Sequence, residues 1–407
     1  MKRTFLLLQG VCSPFFGKLA DALQASGHEV HKINFTAGDV AYWLPRRGHL
    51  FRGKLTELPA FLANIWTRYG ITDQILFGDC RPVHRCAIAA AKQYAVRTHV
   101  FEEGYFRPHW ITLEREGVNA HSLLPTKTQW FLDAAKRLPE PTKPVAFRSP
   151  FYIRALHDVV YNVAGLLNPL IFPHYQSHVP YGAFVEYGGY IRRFLKIKLR
   201  QNKDIGCIHR LLSENIPFYV LPLQLSSDAQ IRQHSRFNDM TQVLTEVMES
   251  FAKHAPANSR LVIKNHPLDA GLVAYRPKIR ALAAQFSLTG RVFYLKTGDL
   301  SALLKQAVGT VTVNSTVGGH ALSLGCPVIA LSPAIYNLPE LTFQGELAKF
   351  WHNATPPDAA LFACFRNTVI HATQINGGFY CEAGMTLGVE NALKVLSAEL
   401  SPLEALL

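Results

Sequence analysis

Two stretches decide the fold class of this chain, Val262-Ile-Lys-Asn-His-Pro-Leu268 and Thr310-Val-Thr-Val-Asn-Ser-Thr-Val-Gly-Gly-His320. Each begins with an apolar, β-branched run that is typical of a buried parallel strand, and then breaks into small or polar residues where a helix should begin. Ligands of open α/β sheets bind outside the carboxyl ends of the strands. We therefore expect four polar residues to lie at one crevice: His266, Asn314, Ser315 and Thr316. A histidine and a helix N-terminus suit a bound anion, most simply a phosphate.

The alternative interpretation of these stretches is purely structural. His266 would then only end a strand, and Ser315 would only cap a helix. A third motif, in the other half of the chain, favours the functional interpretation.

That motif follows the predicted strand Arg97–Phe101 and reads Glu102-Glu103-Gly104-Tyr105-Phe106-Arg107. Neighbouring carboxylates repel each other and raise one pKa, which is a way to make an acid, a base or a nucleophile. Gly104 allows the chain to turn sharply at the end of the strand. Arg107 is near enough in sequence to shift the pKa values of the two carboxylates. Because side chains alternate along a strand, we expect only one of the two carboxylates to reach a substrate. The alternative is an exposed acidic turn with a local arginine salt bridge.

The composition bounds the class of protein. The chain has 407 residues and is 48% hydrophobic, which is enough for two domains. Lys and Arg total 42 against 29 for Asp and Glu, and a charge of +13 points to an anionic partner, which could be nucleic acid, a membrane surface or an acidic substrate. The seven cysteines form no CxxC pair, which argues against a disulfide framework and a zinc ribbon and favours a reducing compartment.

Neither a signal peptide nor a spanning helix is expected. The apolar run near the N-terminus, Thr4–Leu8, is too short for the core of a signal peptide and is predicted to be the first core strand. The longest apolar candidate, Val159–Phe172, is interrupted by Asn162, Asn168 and Pro169 and falls short of the roughly 18 residues that a spanning helix needs.

The chain opens with a predicted β-α-β unit, in which a helix begins at Ser13-Pro14 and ends at Gly27. The connection Gln9–Ser13 lacks the dinucleotide-binding GxGxxG fingerprint, and 34–53 is predicted to be a loop. Further strands are predicted at Gln74–Phe77, Pro217–Pro222, Arg260–Lys264, Arg291–Leu295, Thr310–Val313 and Pro327–Leu331, with helices at Leu58–Tyr69, Pro82–Tyr94, Asp239–Phe251, Leu272–Phe286 and Leu300–Val308.

This alternation predicts an α/β, GT-B-like glycosyltransferase with two Rossmann-like domains facing a cleft. The predicted domains are 1–205 on the acceptor side, 206–380 for the nucleotide sugar, and 381–407 as a helical tail. The carboxylates belong to the first domain and the phosphate-facing residues to the second. No DxD-like metal pair is evident, which agrees with a metal-independent reaction in which His266 and a helix dipole replace the cation.

Residues 126–205 form a predicted basic and aromatic insertion, with twelve Lys or Arg against five Asp or Glu. Its stretch Ile191–Lys203 is basic and amphipathic, which suits an anionic membrane surface or nucleic acid. The alternative is an interdomain helix with a solvated basic face. We expect four residues to serve the acceptor and the membrane: Arg192, Arg193, Lys196 and Lys198. Because no RNA- or DNA-binding motif accompanies the charge, nucleic acid is not an expected partner.

Six motifs in a fixed order resemble the KpsS branch of the bacterial capsule polysaccharide biosynthesis family, whose members are retaining β-Kdo transferases. They are Gln9–Phe16, Ile33–Asp39, Glu102–Trp110, Pro222–Leu225, Lys264–Pro267 and Val313–Thr316, and the similarity extends to about Tyr380. The resemblance implies metal-free transfer of Kdo from CMP-Kdo, without a cofactor, to phosphatidylglycerol or its lyso-form. This step starts the poly-Kdo linker of group 2-type capsular polysaccharide.

The resemblance, which extends to sialyltransferases, also assigns roles. His266 and Pro267 would bind the CMP phosphate, and Asn314, Ser315 and Thr316 the phosphate or the cytidine side, while Gln224, Asp228 and Gln230 would line the cleft. Glu103 matches the catalytic carboxylate, a nucleophile in double displacement. Glu102 is the alternative, since the related branch usually carries Asp where Glu103 stands.

The partners implied are CMP-Kdo, the lipid acceptor, the anionic inner-membrane surface, a Kdo-extending transferase and the capsule export machinery. The location implied is cytoplasmic and peripheral on the inner membrane. Three other functions stay open: transfer of another CMP-sugar such as a sialic acid, extension of an existing Kdo linker, and non-catalytic export or assembly. The last would have no need of the Glu102–Glu103 pair.

Overall fold

The structure, a computed structural model, describes residues 2–140, 143–177, 181–198, 201–225 and 229–407, without the side chains of 194–198 and 229–230. These residues form two compact units. The first unit consists of Met1–Leu124, Lys136–His178 and Asn367–Leu407, and the second unit consists of Pro125–Ala135 and Val179–Arg366.

Twelve strands occur in the described residues: β1 (Thr4–Leu7), β2 (Glu29–Asn34), β3 (His49–Leu50), β4 (Asp73–Phe77), β5 (Arg97–Glu103), β6 (Trp110–Arg115), β7 (Phe218–Pro222), β8 (Arg260–Lys264), β9 (Val292–Leu295), β10 (Gly309–Thr312), β11 (Val328–Ala330) and β12 (Gln374–Asn376).

The helices of the same residues are α1 (Phe15–Ala25), α2 (Ala37–Trp43), α3 (Leu58–Tyr69), α4 (Pro82–Ala91), α5 (Thr128–Lys136), α6 (Phe151–Ala164), α7 (Asn168–Ile171), α8 (Ala183–Lys198), α9 (Gln201–Ser213), α10 (Ala229–Arg232), α11 (Met240–His254), α12 (Tyr275–Gln285), α13 (Leu300–Gln306), α14 (Thr316–Ser323), α15 (Leu347–Asn353), α16 (Ala359–Thr373) and α17 (Glu382–Ser397). Short 3-10 turns lie at Leu55–Glu57, Lys92–Tyr94, Asn119–His121 and Gly165–Leu167.

The first unit is built on a seven-stranded sheet in the order β12-β6-β5-β4-β1-β2-β3. Strands β1 to β5 are parallel, whereas β6 runs antiparallel to β5 on one side and to β12 on the other. The β-α-β start of the chain is confirmed, and its helix packs through Phe15 against Phe101 and Phe379. The prediction of a loop over 34–53 is wrong in part, because the Thr36 hydroxyl accepts a hydrogen bond from the Asp39 amide and starts α2.

The second unit is built on a parallel five-stranded sheet in the order β11-β10-β7-β8-β9. The chain places β8 and β9 on one side of β7 and then crosses to place β10 on the other side, so that the strand order reverses between β7 and β10. Such a reversal is the position at which doubly wound sheets bind ligands. The core of the unit contains Val243, Phe251, Ile263 and Trp351, all fully or almost fully buried.

The observed division of the chain differs from the predicted domains. The boundary lies near 178 and not at 205, because α8 bonds to the loop after β8 in the second unit: the Tyr190 hydroxyl donates to the Leu268 carbonyl. Residues 381–407 do not form a separate tail, because β12 pairs with β6 and α17 packs on α1 in the first unit. The predicted insertion 126–205 is therefore divided between both units.

In the part of the chain that the structure describes, no helix has the length and apolar character needed to cross a membrane.

Candidate functional site

The first unit presents Glu103 at the carboxyl end of β5, where sequence analysis placed it. Its carboxylate Oε1 lies 3.2 Å from Nη1 of Arg154, on α6. The Tyr380 hydroxyl donates to the same oxygen at 3.5 Å, and the Arg154 guanidinium lies over the Tyr380 ring at 4.8 Å. Glu103 is thus held by a cation and a phenol that the chain supplies from far away in sequence.

The surroundings of this carboxylate are partly shielded from water: the side chains of Glu103 and Arg154 keep 21% and 42% of their accessible surface. Burial raises the pKa of Tyr380 well above its usual range, and the charge of Glu103 raises it further, so the phenol stays a hydrogen-bond donor. Burial lowers the pKa of Arg154, but its interactions with Tyr380 and Glu103 raise it more, and the guanidinium is charged at every relevant pH. The arrangement can stabilise a carboxylate anion that forms and then loses a covalent bond.

Glu102 lies beside Glu103 but faces differently. Its Oε1 accepts a hydrogen bond from the amide of Glu103 at 2.9 Å, and its Oε2 lies close to Gly78 at the end of the neighbouring strand β4. Glu102 therefore contacts the backbone at the ends of β4 and β5, and Glu103 bonds to the side chains of Arg154 and Tyr380.

Close backbone packing and side-chain hydrogen bonds fix the turn after Glu102 and Glu103. A Cβ atom at Gly104 would collide with the carbonyl oxygen of Trp110, so this position requires glycine. The Gln374 side chain accepts from the Tyr105 amide at 2.9 Å and donates to the Thr112 hydroxyl at 3.0 Å. Strand β12 thereby holds the end of β5 in place.

Arg107, predicted to tune the carboxylate pair, is exposed and donates to the carbonyl oxygen of Gly104 at 3.4 Å. The cation that pairs with Glu103 is Arg154 instead. Sequence reasoning missed Arg154 because 51 positions separate it from Glu103 and no motif marks it. Tyr380 was reached only as the end of the six-motif similarity, which gave it no role.

The second unit joins two of the predicted residues at its topological switch point. Gln224 follows β7 and Asn314 follows β10, and the Gln224 amide donates to Asn314 Oδ1 at 3.1 Å. Asn314 in turn donates to the carbonyl oxygen of His234 at 3.1 Å. Both side chains are buried, and their bond fixes the loop that leads into α14.

Ser315 caps α14, as its structural interpretation predicted. Its hydroxyl accepts from the Val317 amide at 3.2 Å, and its carbonyl accepts from the Tyr336 hydroxyl at 2.6 Å. Thr316 is the first residue of this helix. The capping role does not exclude a phosphate role, because a helix N-terminus offers both its amides and its dipole to an anion.

His266 and Pro267 lie in the loop after β8, and Pro267 is exposed. The His266 ring accepts a hydrogen bond at Nδ1 from the Leu268 amide at 3.0 Å, so the neutral ring carries its proton on Nε2. The Asn265 side chain bonds to Asp269 at 2.9 Å and closes the loop.

Arg193, predicted to face the membrane, is buried and holds this loop. Its guanidinium donates to the carbonyl oxygens of His266, at 3.0 Å, and of Asp269. The prediction of a membrane contact for Arg193 is therefore wrong, because its charge is used inside the second unit. Arg192 is exposed and donates to the Gly271 carbonyl at 3.3 Å. The side chains of Lys196, Lys198 and Gln230, like all of Asp228, lie outside the described residues.

Two Rossmann-like units, each with polar residues at the carboxyl ends of its strands, give the chain a GT-B-like α/β fold, as predicted.

Comparisons with known proteins identify the family. The family model described as capsule polysaccharide biosynthesis protein matches residues 72–380. The capsule polysaccharide modification protein LipB of Neisseria meningitidis serogroup B is 38% identical over 387 residues, covering 93% of this chain and 91% of LipB. The capsule polysaccharide export protein KpsS of Escherichia coli is 35% identical over 381 residues, covering 93% of this chain and 97% of KpsS.

Among solved structures, the β-Kdo 2,7 transferase KpsC of Thermosulfurimonas dismutans aligns with 13% identity and a TM-score of 0.45, covering 97% of this chain and 100% of that chain. The sequence comparisons show that this chain belongs to the capsule polysaccharide biosynthesis protein family. The resemblance that six motifs indicated is thereby confirmed.

Proposed function

We propose that this protein is a retaining glycosyltransferase that moves β-Kdo from CMP-Kdo to a phosphatidylglycerol-type lipid without a metal ion. The product would start the poly-Kdo linker of a capsular polysaccharide. The observation that carries the proposal is the carboxylate of Glu103 at a strand end, paired with Arg154 and hydrogen-bonded by Tyr380. A carboxylate held in this way is suited to nucleophilic catalysis, for which a purely structural export protein has no use.

The proposed reaction is a double displacement. The carboxylate of Glu103 attacks the anomeric carbon of Kdo, and the bond to the phosphate oxygen breaks, so that CMP leaves with the electron pair. The acceptor hydroxyl then attacks the same carbon, the bond to Glu103 breaks, and the hydroxyl proton passes to solvent. Two inversions give net retention. Arg154 would stabilise the anion of Glu103 before the first step and as it leaves in the second.

Donor binding is assigned to the second unit. The CMP phosphate would lie at the N-terminus of α14, near Ser315 and Thr316, with His266 as a further hydrogen-bond partner. Three further residues that follow β7, β8 and β10 would line the same donor site: Gln224, Pro267 and Asn314. The positive end of the helix dipole would take the place of a metal cation.

The proposed setting is the cytoplasmic face of the inner membrane. Arg192, which is exposed on α8, would contribute attraction to anionic lipid of about 1 kcal/mol. The lipid-linked product would pass to a Kdo-extending transferase and then to the capsule export machinery.

The first test is a thin-layer assay with CMP-Kdo and fluorescent phosphatidylglycerol, in the presence of a chelator. Wild type should give a more polar lipid product, and Glu103→Gln and His266→Ala should lose it. Glu246→Gln, which changes a half-exposed glutamate paired with Arg236, is the matched control and should keep it. Near-normal turnover by Glu103→Gln would remove Glu103 as the nucleophile.

Two further results would move the protein to another function. Transfer only to a lipid that already carries Kdo would place it in linker extension. Inhibition by UDP or GDP in preference to CMP would exclude a CMP-sugar donor.

A further inference from the structure

Helix α6 in the first unit exposes an apolar face. The structure describes all of its residues, and the six that are most exposed are all apolar or aromatic: Phe151, Tyr152, Leu156, Val159, Val160 and Val163. The same surface continues into α7 through Leu166, Leu167 and Leu170, of which Leu170 is 83% exposed. We call these nine residues the apolar stripe.

The spacing shows that the stripe is one face of the helix. Its members recur every three or four positions from 152 to 170, which places them above one another along about 30 Å of helix. A surface helix normally turns such a face to the core and its polar residues to water. Helix α6 does the reverse.

The opposite, polar face of α6 binds the first unit and fixes this orientation. Arg154 pairs with Glu103, and His157 bonds through Nδ1 to the Tyr42 hydroxyl at 2.8 Å. The Tyr161 hydroxyl donates to Asp39 at 3.1 Å. A rotation that buried the apolar stripe would break all three contacts, so its exposure is built into the packing of the helix.

The charges around the stripe favour an anionic bilayer as its occupant. From Lys143 to Ser177, a segment that the structure describes completely, Asp158 is the sole carboxylate side chain. Lys143 and Arg148 are exposed and precede in sequence the exposed rings of Phe151 and Tyr152 at the start of α6. Apolar side chains that are flanked by cations and by interfacial aromatic residues are the pattern of a helix that lies in a membrane surface.

We propose that α6 and α7 lie on an anionic lipid bilayer, with the apolar stripe among the acyl chains and Lys143 and Arg148 at the headgroups. This contact differs from the basic stretch 191–203 that sequence analysis favoured. It also has a consequence that rests on the proposed function. Since Arg154 extends from the polar face of the same helix to Glu103, the helix brings the reacting carboxylate to a lipid acceptor at the bilayer surface.

The test is vesicle flotation with phosphatidylcholine alone and with phosphatidylcholine containing phosphatidylglycerol. Wild type should bind the anionic vesicles more tightly. The double variant Leu166→Ser/Leu170→Ser should weaken this binding by at least about tenfold, because two exposed leucines no longer enter the apolar layer. The matched control is Leu123→Ser/Leu400→Ser, two exposed leucines outside the stripe, which should bind like wild type. Both variants should melt like wild type, since the altered side chains are exposed.

Other outcomes would overturn the inference. Unchanged vesicle binding in the stripe variant, with loss of binding in Arg192→Gln/Lys196→Gln/Lys198→Gln, would place the membrane contact on α8. Unchanged vesicle binding together with a change from dimer to monomer in light scattering would make the stripe an interface between two copies.

An acceptor assay separates this inference from the proposed function. If the function is right, the stripe variant should still glycosylate a short-chain, water-soluble phosphatidylglycerol while it loses transfer to vesicles. If wild type glycosylates neither acceptor but the stripe variant still loses vesicle binding, the function fails and the membrane contact stands.

Discussion

The guanidinium Nη1 of Arg154 lies 3.2 Å from the carboxylate Oε1 of Glu103, and the two residues come from a helix and a strand that are 51 positions apart in the sequence. This pair lies on the polar, protein-facing side of a helix whose other face is apolar and exposed. The ion pair therefore connects the candidate catalytic carboxylate with the helix that carries the candidate membrane surface, within the first unit.

The first prediction concerns Arg154. Arg154→Met should lower kcat/KM with a water-soluble acceptor by about 100-fold, as for the loss of one preorganised charge-stabilising donor, and Arg154→Lys should recover part of it. Steady-state kinetics measure the effect. Arg68→Met, an exposed arginine of the first unit, is the control. Equal kcat/KM values for Arg154→Met and Arg68→Met would show that the ion pair between Arg154 and Glu103 only holds α6 against the first unit.

The second prediction separates capping from phosphate binding at Ser315. Ser315→Ala and Asp299→Ala each remove a helix cap in the second unit, and each should cost about 1 kcal/mol in the free energy of unfolding. Only Ser315→Ala should also weaken CMP binding, by about tenfold, because one phosphate hydrogen bond is lost. Calorimetric titration with CMP measures this difference. If CMP binds both variants equally well, Ser315 is a cap and nothing more.

The third prediction compares two adjacent arginines. Arg193→Gln leaves the partly buried carbonyls of His266 and Asp269 without their charged donor and should destabilise the second unit by about 2 kcal/mol. It should also weaken CMP binding, because the His266 loop is released. Arg192→Gln, next to it but exposed, should leave unfolding and CMP binding unchanged. Urea unfolding and CMP titration of the two variants give the comparison, and similar behaviour of both would contradict it.

The fourth prediction concerns the pH dependence of stability through Glu114 on β6. Burial raises the pKa of Glu114 from 4.5 to about 7, although it accepts hydrogen bonds from Tyr105 and Ser122. The folded protein therefore holds this proton more tightly than the unfolded chain. The resulting stabilisation, about 3 kcal/mol, is complete below the unfolded pKa of 4.5 and is lost as the pH rises through about 7.

Glu114→Gln keeps a neutral side chain of the same shape and should remove this slope. Urea unfolding at pH 5 and pH 8 should show that wild type loses more stability than the variant between the two values. Glu382→Gln, an exposed glutamate paired with Lys18, should keep the wild-type slope. A slope in Glu114→Gln equal to that of wild type would assign the pH dependence to other groups.

The motifs at strand ends could be predicted from the sequence because they are local. A run such as Arg260–Lys264 specifies a buried strand by its side chains alone, and the residues that follow it lie at the carboxyl edge of any parallel sheet. The sequence pattern could therefore predict that Glu103, His266 and Ser315 lie at the ends of strands. The errors have two causes: the predicted loop after β2 contains a short helix capped by Thr36, a local signal that was overlooked, and β12 pairs only with the distant strand β6.

The partners of the catalytic candidates required the tertiary structure. Arg107 is near Glu103 in sequence but bonds to the backbone, whereas Arg154 and Tyr380 arrive from a helix and a turn far along the chain. Arg192 and Arg193 are adjacent and of the same residue type, but Arg193 is buried and Arg192 is exposed. Side-chain burial depends on which surfaces meet, and a linear pattern does not record that.

The sequence by itself determined the α/β class, the strand ends that carry the polar residues, and the family to which the chain belongs. Only the tertiary structure decided where the boundary between the units falls, which cation pairs with Glu103, and which face of α6 meets solvent. The physical reason is the range of the interactions. Strands and caps form between residues that are close in sequence, whereas ion pairs, edge strands and exposed apolar faces arise when distant segments pack and compete for the same surface.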